Sequence, residues 1–161
     1  MAKIIFLNQG FIFKSGKANL VFDDFEINEE VDAIFATKQE YFLFPKIPKK
    51  FRKKIIKDCK IFSLPFGFKI IEQNTIAYLT KKPNKKFFKE IKNCDILICS
   101  DFIFNKNEIK NLKPKLVVLR GKSIYAAREL QKLTGIQTIV AKPGFKIDTR
   151  DYIINLQKKL I

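Results

Sequence analysis

The sequence contains no histidine and no tryptophan, and its 161 residues include one methionine and three cysteines. Without histidine the chain lacks the commonest zinc ligand and the commonest general base at neutral pH, so histidine-based catalysis is excluded. Cys59, Cys94 and Cys99 are odd in number and form no Cys-x-x-Cys pair, so neither a disulfide framework nor a cysteine zinc site is indicated. We expect Cys94 and Cys99, which flank an apolar stretch, to be buried free thiols.

Long apolar runs are also missing. The opening stretch, MAKIIFLNQGFIF, is interrupted by polar residues and lacks the pattern of a signal peptide, and no run approaches membrane-spanning length. We therefore expect a cytoplasmic protein with reduced thiols and no membrane partner. A hydrophobic content of 47%, with 17 phenylalanines, is typical of a folded globular protein. The length predicts a single domain over residues 1–161.

Acidic residues are scarce relative to basic ones, and the formal net charge is +16. Such an excess favours a polyanionic partner, RNA or DNA before a membrane, although a bias of composition toward lysine explains it equally well, and both interpretations stay open. The basic residues are densest in 46–60, where the pattern from Pro48 to Lys60 predicts an amphipathic helix, and in 81–92. The candidate nucleic-acid-binding residues are Lys49, Lys50, Arg52, Lys53, Lys54, Lys57, Lys85, Lys86 and Lys89.

Apolar periodicity predicts an α/β fold. In 31–36, Val31, Ala33 and Phe35 alternate on one face, and Ile34 and Ala36 make the other face apolar too. This pattern is typical of a strand covered on both sides in a layered domain. Further strands are predicted at 3–7, 11–14, 18–22, 60–65, 68–71, 75–79, 95–99, 115–119, 136–140 and 146–148. Besides 48–60, helices are predicted at 84–93, with Asn84 as N-cap, at 105–111, at 123–135 between Ser123 and Gly135, and from Thr149 onward.

The stretch from Val31 to Pro45, VDAIFATKQEYFLFP, resembles the metal-ligand loop of the metallo-β-lactamase fold family. That family follows a D-A-I-hydrophobic-x-T strand with H-x-H-x-D-H, and the strand and Thr37 match here. The ligands do not match, because Lys38, Glu40, Phe42 and Leu43 occupy their positions. The resemblance implies a reduced metallo-β-lactamase-like αββα four-layer sandwich that lacks the family's metal ligands.

Blocks before and after this stretch continue the resemblance, in the same order along the chain as in the family. Asp23 matches an aspartate that ends the family's opening strands, Asp101 is nearest to its metal-bridging aspartate, and Arg120 stands at the end of a strand that finishes in histidine in the family. The resemblance thus implies a vestigial site region that comprises Asp23, Lys38, Glu40, Asp101 and Arg120.

From these residues we expect no catalytic residues, no metal ligands and no cofactor. The predicted function is that of a nucleic-acid-binding or assembly/adaptor subunit, whose partners are RNA or DNA, an active paralogue or another protein. The alternative is a nuclease-like metal-dependent hydrolase in which Asp23, Glu40 and Asp101 hold Mg²⁺ or Mn²⁺ in place of the lost histidines. If they hold no metal, we expect these acids to be solvated or paired with Lys38 and Lys81.

The tripeptide Gly121-Lys122-Ser123 lies at a strand-to-helix junction, as in phosphate-binding loops. A P-loop also needs a glycine five residues before this one, and that position is Leu116, so nucleotide hydrolysis is excluded. Weak phosphate binding at the helix N-terminus, with Arg120 and Lys122 adding charge, stays open.

Overall fold

The structure is a computed structural model that describes residues 2–16, 18–24, 29–37 and 59–150. It divides into two compact units, each with its own β-sheet. The first unit includes the described residues up to 60 together with 142–150, and the second includes 61–141. Two mixed sheets with a few short helices confirm the predicted α/β class. The prediction that 1–161 form a single domain stays a prediction.

The sheet of the first unit has the strand order β11-β1-β2-β3-β4. Its pairs are antiparallel except β3–β4, which is parallel. The strands are β1 (Ala2–Phe6), β2 (Phe11–Ser15), β3 (Ala18–Phe22), β4 (Ala33–Phe35) and β11 (Lys146–Asp148).

Four phenylalanines stand directly opposite one another on neighbouring strands of this sheet. Phe6 pairs with Phe11, Phe11 with Phe22, and Phe22 with Phe35. The last two pairs are stacked with ring centroids 4.9 Å apart, and the first is tilted at 6.0 Å. Phe6–Phe11 and Phe11–Phe22 lie on antiparallel strands, where such a pair contributes roughly 0.2–1 kcal/mol, and a slip by one residue would break these pairs. This Phe ladder fixes where β3 and β4 end relative to each other.

The sheet of the second unit has the order β10-β9-β8-β7-β6-β5. Strands β7 to β10 run parallel, as expected for strands connected through helices, and β6 pairs antiparallel with β7. The strands are β5 (Lys60–Leu64), β6 (Gly67–Ile71), β7 (Thr75–Leu79), β8 (Ile96–Ser100), β9 (Leu116–Arg120) and β10 (Gln137–Val140).

Three α-helices connect these parallel strands: α1 (Phe88–Ile91), α2 (Lys106–Leu112) and α3 (Ile124–Thr134), with a 3₁₀ turn at Lys85–Phe87 before α1. Their apolar residues pack on alternate residues of β7, β8 and β9 to form one core. Its members include Phe88, Ile91, Ile109, Leu112, Ala127 and Leu130 from the helices and Ala77, Leu79, Leu97, Cys99, Val117 and Leu119 from the strands.

The helix predicted at 84–93 is shorter and partly 3₁₀. Asn84 makes no side-chain cap hydrogen bond, and α1 has only four residues. Asn93 has a φ of 61° and donates its N–H to the Leu112 carbonyl at 2.7 Å, which turns the chain away from a helical path. Strand β4 is likewise shorter than the predicted 31–36, because only three residues pair with β3, its one neighbour in the described sheet.

Two predicted helices and the predicted ligand loop lie largely outside the described residues: 48–58, the segment after Arg150, and 38–45. Their predictions stay predictions. Among the helices that the structure describes, none has the length and apolar character needed to cross a bilayer.

Candidate functional site

Asp23, directly after β3, bonds to Thr37, the second residue beyond β4. Its two carboxylate oxygens accept from Thr37, Oδ1 from the backbone N–H at 2.7 Å and Oδ2 from the hydroxyl at 2.5 Å. Its own N–H donates to the Phe35 carbonyl at 2.8 Å. Asp23 is buried, with a left-handed φ of 53° that aspartate tolerates better than most residues. Both oxygens thus serve to fix the start of the predicted ligand loop.

Asp101 and Arg120 lie at the carboxyl ends of β8 and β9 in the second unit. Asp101 is exposed, with a φ of 63°, and its N–H donates to the Arg120 carbonyl at 3.0 Å. Gly121 has a φ of 72°, which favours glycine, and an added Cβ would lie 2.2 Å from Asp101 Oδ1, so the Asp101 side chain would have to move. Arg120 itself is buried.

The strand-to-helix junction at 121–123 is poorly suited to phosphate. Ser123 caps α3 by accepting the Ala126 N–H at 3.1 Å, so its hydroxyl already serves the helix. The Asp101 carboxylate beside Gly121 places negative charge next to the junction, where it would repel an anion. This arrangement disfavours the weak phosphate site that the sequence left open.

The second basic run, 81–92, is described in full. We call it the basic segment; its lysines are Lys81, Lys82, Lys85, Lys86, Lys89 and Lys92, all exposed, and Glu90 is its single acid. Two apolar residues of the segment, Phe88 and Ile91, are buried in the core of the second unit and hold the segment to it.

Lys82 is the most constrained of these lysines. It donates to Glu108 at 2.8 Å and lies 5.8 Å from the centre of the Phe104 ring. Glu108 also completes a capping box with Asn105 at the start of α2. Burial alone would raise the pKa of Glu108, but the hydrogen bonds from Lys82 and the Asn105 N–H, with the positive charges of Lys82 and Lys85, outweigh it and lower that pKa.

An exposed aromatic side chain accompanies the basic segment. Phe66 lies at the turn between β5 and β6 and is 46% exposed, and Lys81 Nζ lies 5.5 Å from its ring centre. Within the described residues, Lys81 thus contacts an aromatic ring and Asp23 bonds to Thr37. The predicted pairing of Glu40 and Lys38 concerns residues outside the described ranges and stays a prediction.

No family model matches the sequence, and no curated protein matches it either. Among solved structures, the chain is similar to a metallo-β-lactamase superfamily protein from Thermotoga maritima, a candidate Zn-dependent hydrolase, with a TM-score of 0.55. The likeness covers 87% of this chain and 98% of that one at 13% sequence identity. The fold is that of the metallo-β-lactamase superfamily. The resemblance read from 31–45 is thereby confirmed at the level of the fold.

The described residues do not fit the zinc that this fold binds in metallohydrolases. The chain has no histidine, and within 2–16, 18–24, 29–37 and 59–150 no three Cys, Asp or Glu side chains group to hold a metal ion. Burial, followed by the charge of Asp95, raises the pKa of Cys94 to about 12, and burial raises that of Cys99 well above 9.0, so neither readily forms the thiolate that zinc requires. The carboxylate oxygens of Asp23 are already bonded to Thr37.

The predicted site residues are thus only partly placed within the metallo-β-lactamase-like fold. Asp23 is in the first unit, and Asp101 and Arg120 are in the second. Lys85, Lys86 and Lys89 are exposed on the basic segment. The remaining candidates lie outside the described residues; they are Lys38, Glu40, Lys49, Lys50, Arg52, Lys53, Lys54 and Lys57.

The sequence interpretation missed Phe66. The signal was the Leu64-Pro65-Phe66-Gly67 turn, in which a phenylalanine follows proline at a position that normally requires glycine or asparagine. An aromatic residue at such a position is unexpected, because turns favour small polar side chains.

Proposed function

We propose that this chain is a non-catalytic protein with a metallo-β-lactamase-like fold that binds RNA or DNA. The observation that carries the proposal is the basic segment, in which six exposed lysines and one acid follow each other over 81–92. A phosphate backbone would neutralise these lysines and release counterions, which is the usual source of affinity in such proteins.

The structure of the segment supports this use of its charge. Because Phe88 and Ile91 are buried, the backbone that carries Lys85, Lys86 and Lys89 is held against the second sheet rather than in a free tail. Lysines fixed side by side repel one another by a few tenths of a kcal/mol per pair, and a bound polyanion removes that cost.

The non-catalytic part of the proposal is supported by the donor set. The chain has no imidazole, and each carboxylate oxygen of Asp23 accepts a hydrogen bond from Thr37, which favours a structural role for this carboxylate over a role as metal ligand. An adaptor that presents nucleic acid to an active partner uses the same surface and the same chemistry.

The test compares two charge-matched triple variants of the full chain. In the first, Lys85, Lys86 and Lys89 are changed to Glu; in the second, Lys110, Arg128 and Lys132 are changed to Glu. All six residues are exposed, and both variants lose the same charge on the second unit. Fluorescence anisotropy with labelled single-stranded RNA and duplex DNA is measured at about 50 and 200 mM salt.

We expect the first variant to bind at least about tenfold more weakly and to show a shallower salt dependence, whereas the second stays close to the parent. Circular dichroism checks that both are folded. Equal losses in the two variants would mean that only total charge matters, and no binding by the parent at low salt would refute the proposal.

A further inference from the structure

Phe66 occupies a backbone conformation that its side chain does not favour. It is the second residue of the two-residue turn between β5 and β6, and its φ is 64°. A bulky side chain in the left-handed region is strained, and glycine or asparagine is the usual choice there. Strain of this kind persists where the surroundings enforce it, and it often marks a functional position.

The surroundings do enforce it. The Phe66 carbonyl accepts two hydrogen bonds from Thr80, from the backbone N–H at 2.8 Å and from the hydroxyl at 3.0 Å. The next residue, Gly67, lies so close to β7 that an added Cβ would be 1.8 Å from the Tyr78 carbonyl oxygen. The chain is therefore held closely against β7 from the Phe66 carbonyl onward.

Core packing does not account for the ring. Phe66 is 46% exposed and is not among the residues that form the core of the second unit. A second exposed ring, that of Phe62 at 48%, lies four residues earlier on β5, an edge strand of the described sheet. The hairpin thus presents aromatic surface at a place where a polar residue would relieve backbone strain.

The charge beside the ring indicates what it binds. Lys81, whose Nζ lies 5.5 Å from the Phe66 ring centre, is the first lysine of the basic segment. An exposed aromatic ring next to cations is the combination that binds single strands, since a base stacks on the ring and the ammonium contacts its phosphate. A duplex cannot use the ring in this way, because its bases are already stacked inside the helix.

We propose that Phe66 is a base-stacking platform for single-stranded nucleic acid and that Lys81 supplies the adjoining phosphate contact. This inference rests on the proposed function and narrows it to a class of nucleic acid. The proposed binding surface extends from the β5–β6 turn onto the basic segment.

The chain offers a direct probe, because it has no tryptophan. In a Phe66→Trp variant the single indole reports on stacking, and we expect single-stranded oligonucleotides to quench its fluorescence while the same sequence as a duplex does not. A Tyr125→Trp variant is the matched control, since Tyr125 is 76% exposed and lies on α3, outside the turn and the basic segment; its fluorescence should change little.

A second set of variants measures the contribution of the ring to affinity. Phe66→Asn removes the ring and suits the left-handed backbone, so the variant should fold. It should bind single strands about tenfold more weakly with duplex affinity unchanged, and Phe66→Tyr should restore single-strand binding. Absence of indole quenching, or equal loss of single-strand and duplex binding, overturns the stacking platform. If Phe66→Asn binds like the parent while the Lys85, Lys86 and Lys89 variant is weakened, the platform fails and the proposed function stands.

Discussion

Thr37 donates one hydrogen bond to each carboxylate oxygen of Asp23, through its backbone N–H and its hydroxyl. The two residues are 14 positions apart, and the parallel pairing of β3 with β4 brings them together. In this chain Asp23 therefore holds the segment that follows β4 through two hydrogen bonds.

Removing the hydrogen bonds between Asp23 and Thr37 should destabilise the first unit. Thr37→Val keeps the backbone bond but loses the hydroxyl, and we expect a loss of about 1–3 kcal/mol in the free energy of unfolding. Asp23→Ala loses both bonds and places alanine at a left-handed φ, so its loss should be larger, about 3 kcal/mol or more. Equilibrium unfolding in urea measures both.

Thr80→Val is the control for this comparison. The Thr80 hydroxyl bonds to the exposed Phe66 carbonyl, which also accepts the Thr80 backbone N–H and keeps that bond in the variant. We expect it to cost less than about 1 kcal/mol. Parent-like stability of Thr37→Val would contradict the role given to Asp23.

The ion pair between Lys82 and Glu108 predicts a pH dependence. Since the pKa of Glu108 is lowered in the folded chain, the unfolded chain takes up the proton first on acidification. The resulting stabilisation is present above the ordinary glutamate pKa of 4.5 and is lost as the pH falls through the folded value. Lys82→Met should flatten this part of the stability profile in urea unfolding, whereas Lys86→Met should leave it unchanged.

Gly67 should tolerate no side chain. A Cβ there meets the Tyr78 carbonyl oxygen at 1.8 Å, so Gly67→Ala must push β6 away from β7. Gly16→Ala is the comparison, because Gly16 has a φ of 53° and open space around it, and it should lose only the conformational cost of about 1–2 kcal/mol. We expect thermal denaturation to show a clearly larger loss for Gly67→Ala; similar melting temperatures would contradict this.

The donor set predicts that zinc does not copurify in stoichiometric amount. Elemental analysis of protein purified without chelator should give far less than one zinc per chain, and EDTA should not change the melting temperature. Added Mg²⁺ or Mn²⁺ should leave the melting temperature unchanged as well. A tightly held ion, or stabilisation by Mn²⁺, would favour the carboxylate-based hydrolase instead.

Local patterns predicted most element positions. The helix between Ser123 and Gly135 is observed as Ile124–Thr134, because a serine N-cap and a left-handed C-terminal glycine with a φ of 72° are local devices. The buried parallel strands were predicted equally well, from their continuous apolar runs.

Long-range relationships were not predictable in the same way. The partner of Asp23 depends on the register of β3 with β4, which the Phe ladder fixes across four strands. The exposed ring of Phe66 depends on Thr80 and Gly67 enforcing a backbone that phenylalanine does not prefer. Neither the partner of Asp23 nor the conformation of Phe66 can be predicted from residues adjacent in sequence. Both depend on how the strands pair.

The pairing of β11 with β1, in which Asp148 stands opposite Lys3, has a consequence for synthesis. The described part of the second unit is one continuous stretch, 61–141, whereas the sheet of the first unit needs strands from both sides of that stretch. As the ribosome releases the chain, all strands of the second sheet emerge before β11 does. Strand β1 can therefore gain its partner β11 only after the whole of 61–141 has been synthesised, and until then this edge of the first sheet lacks its native neighbour.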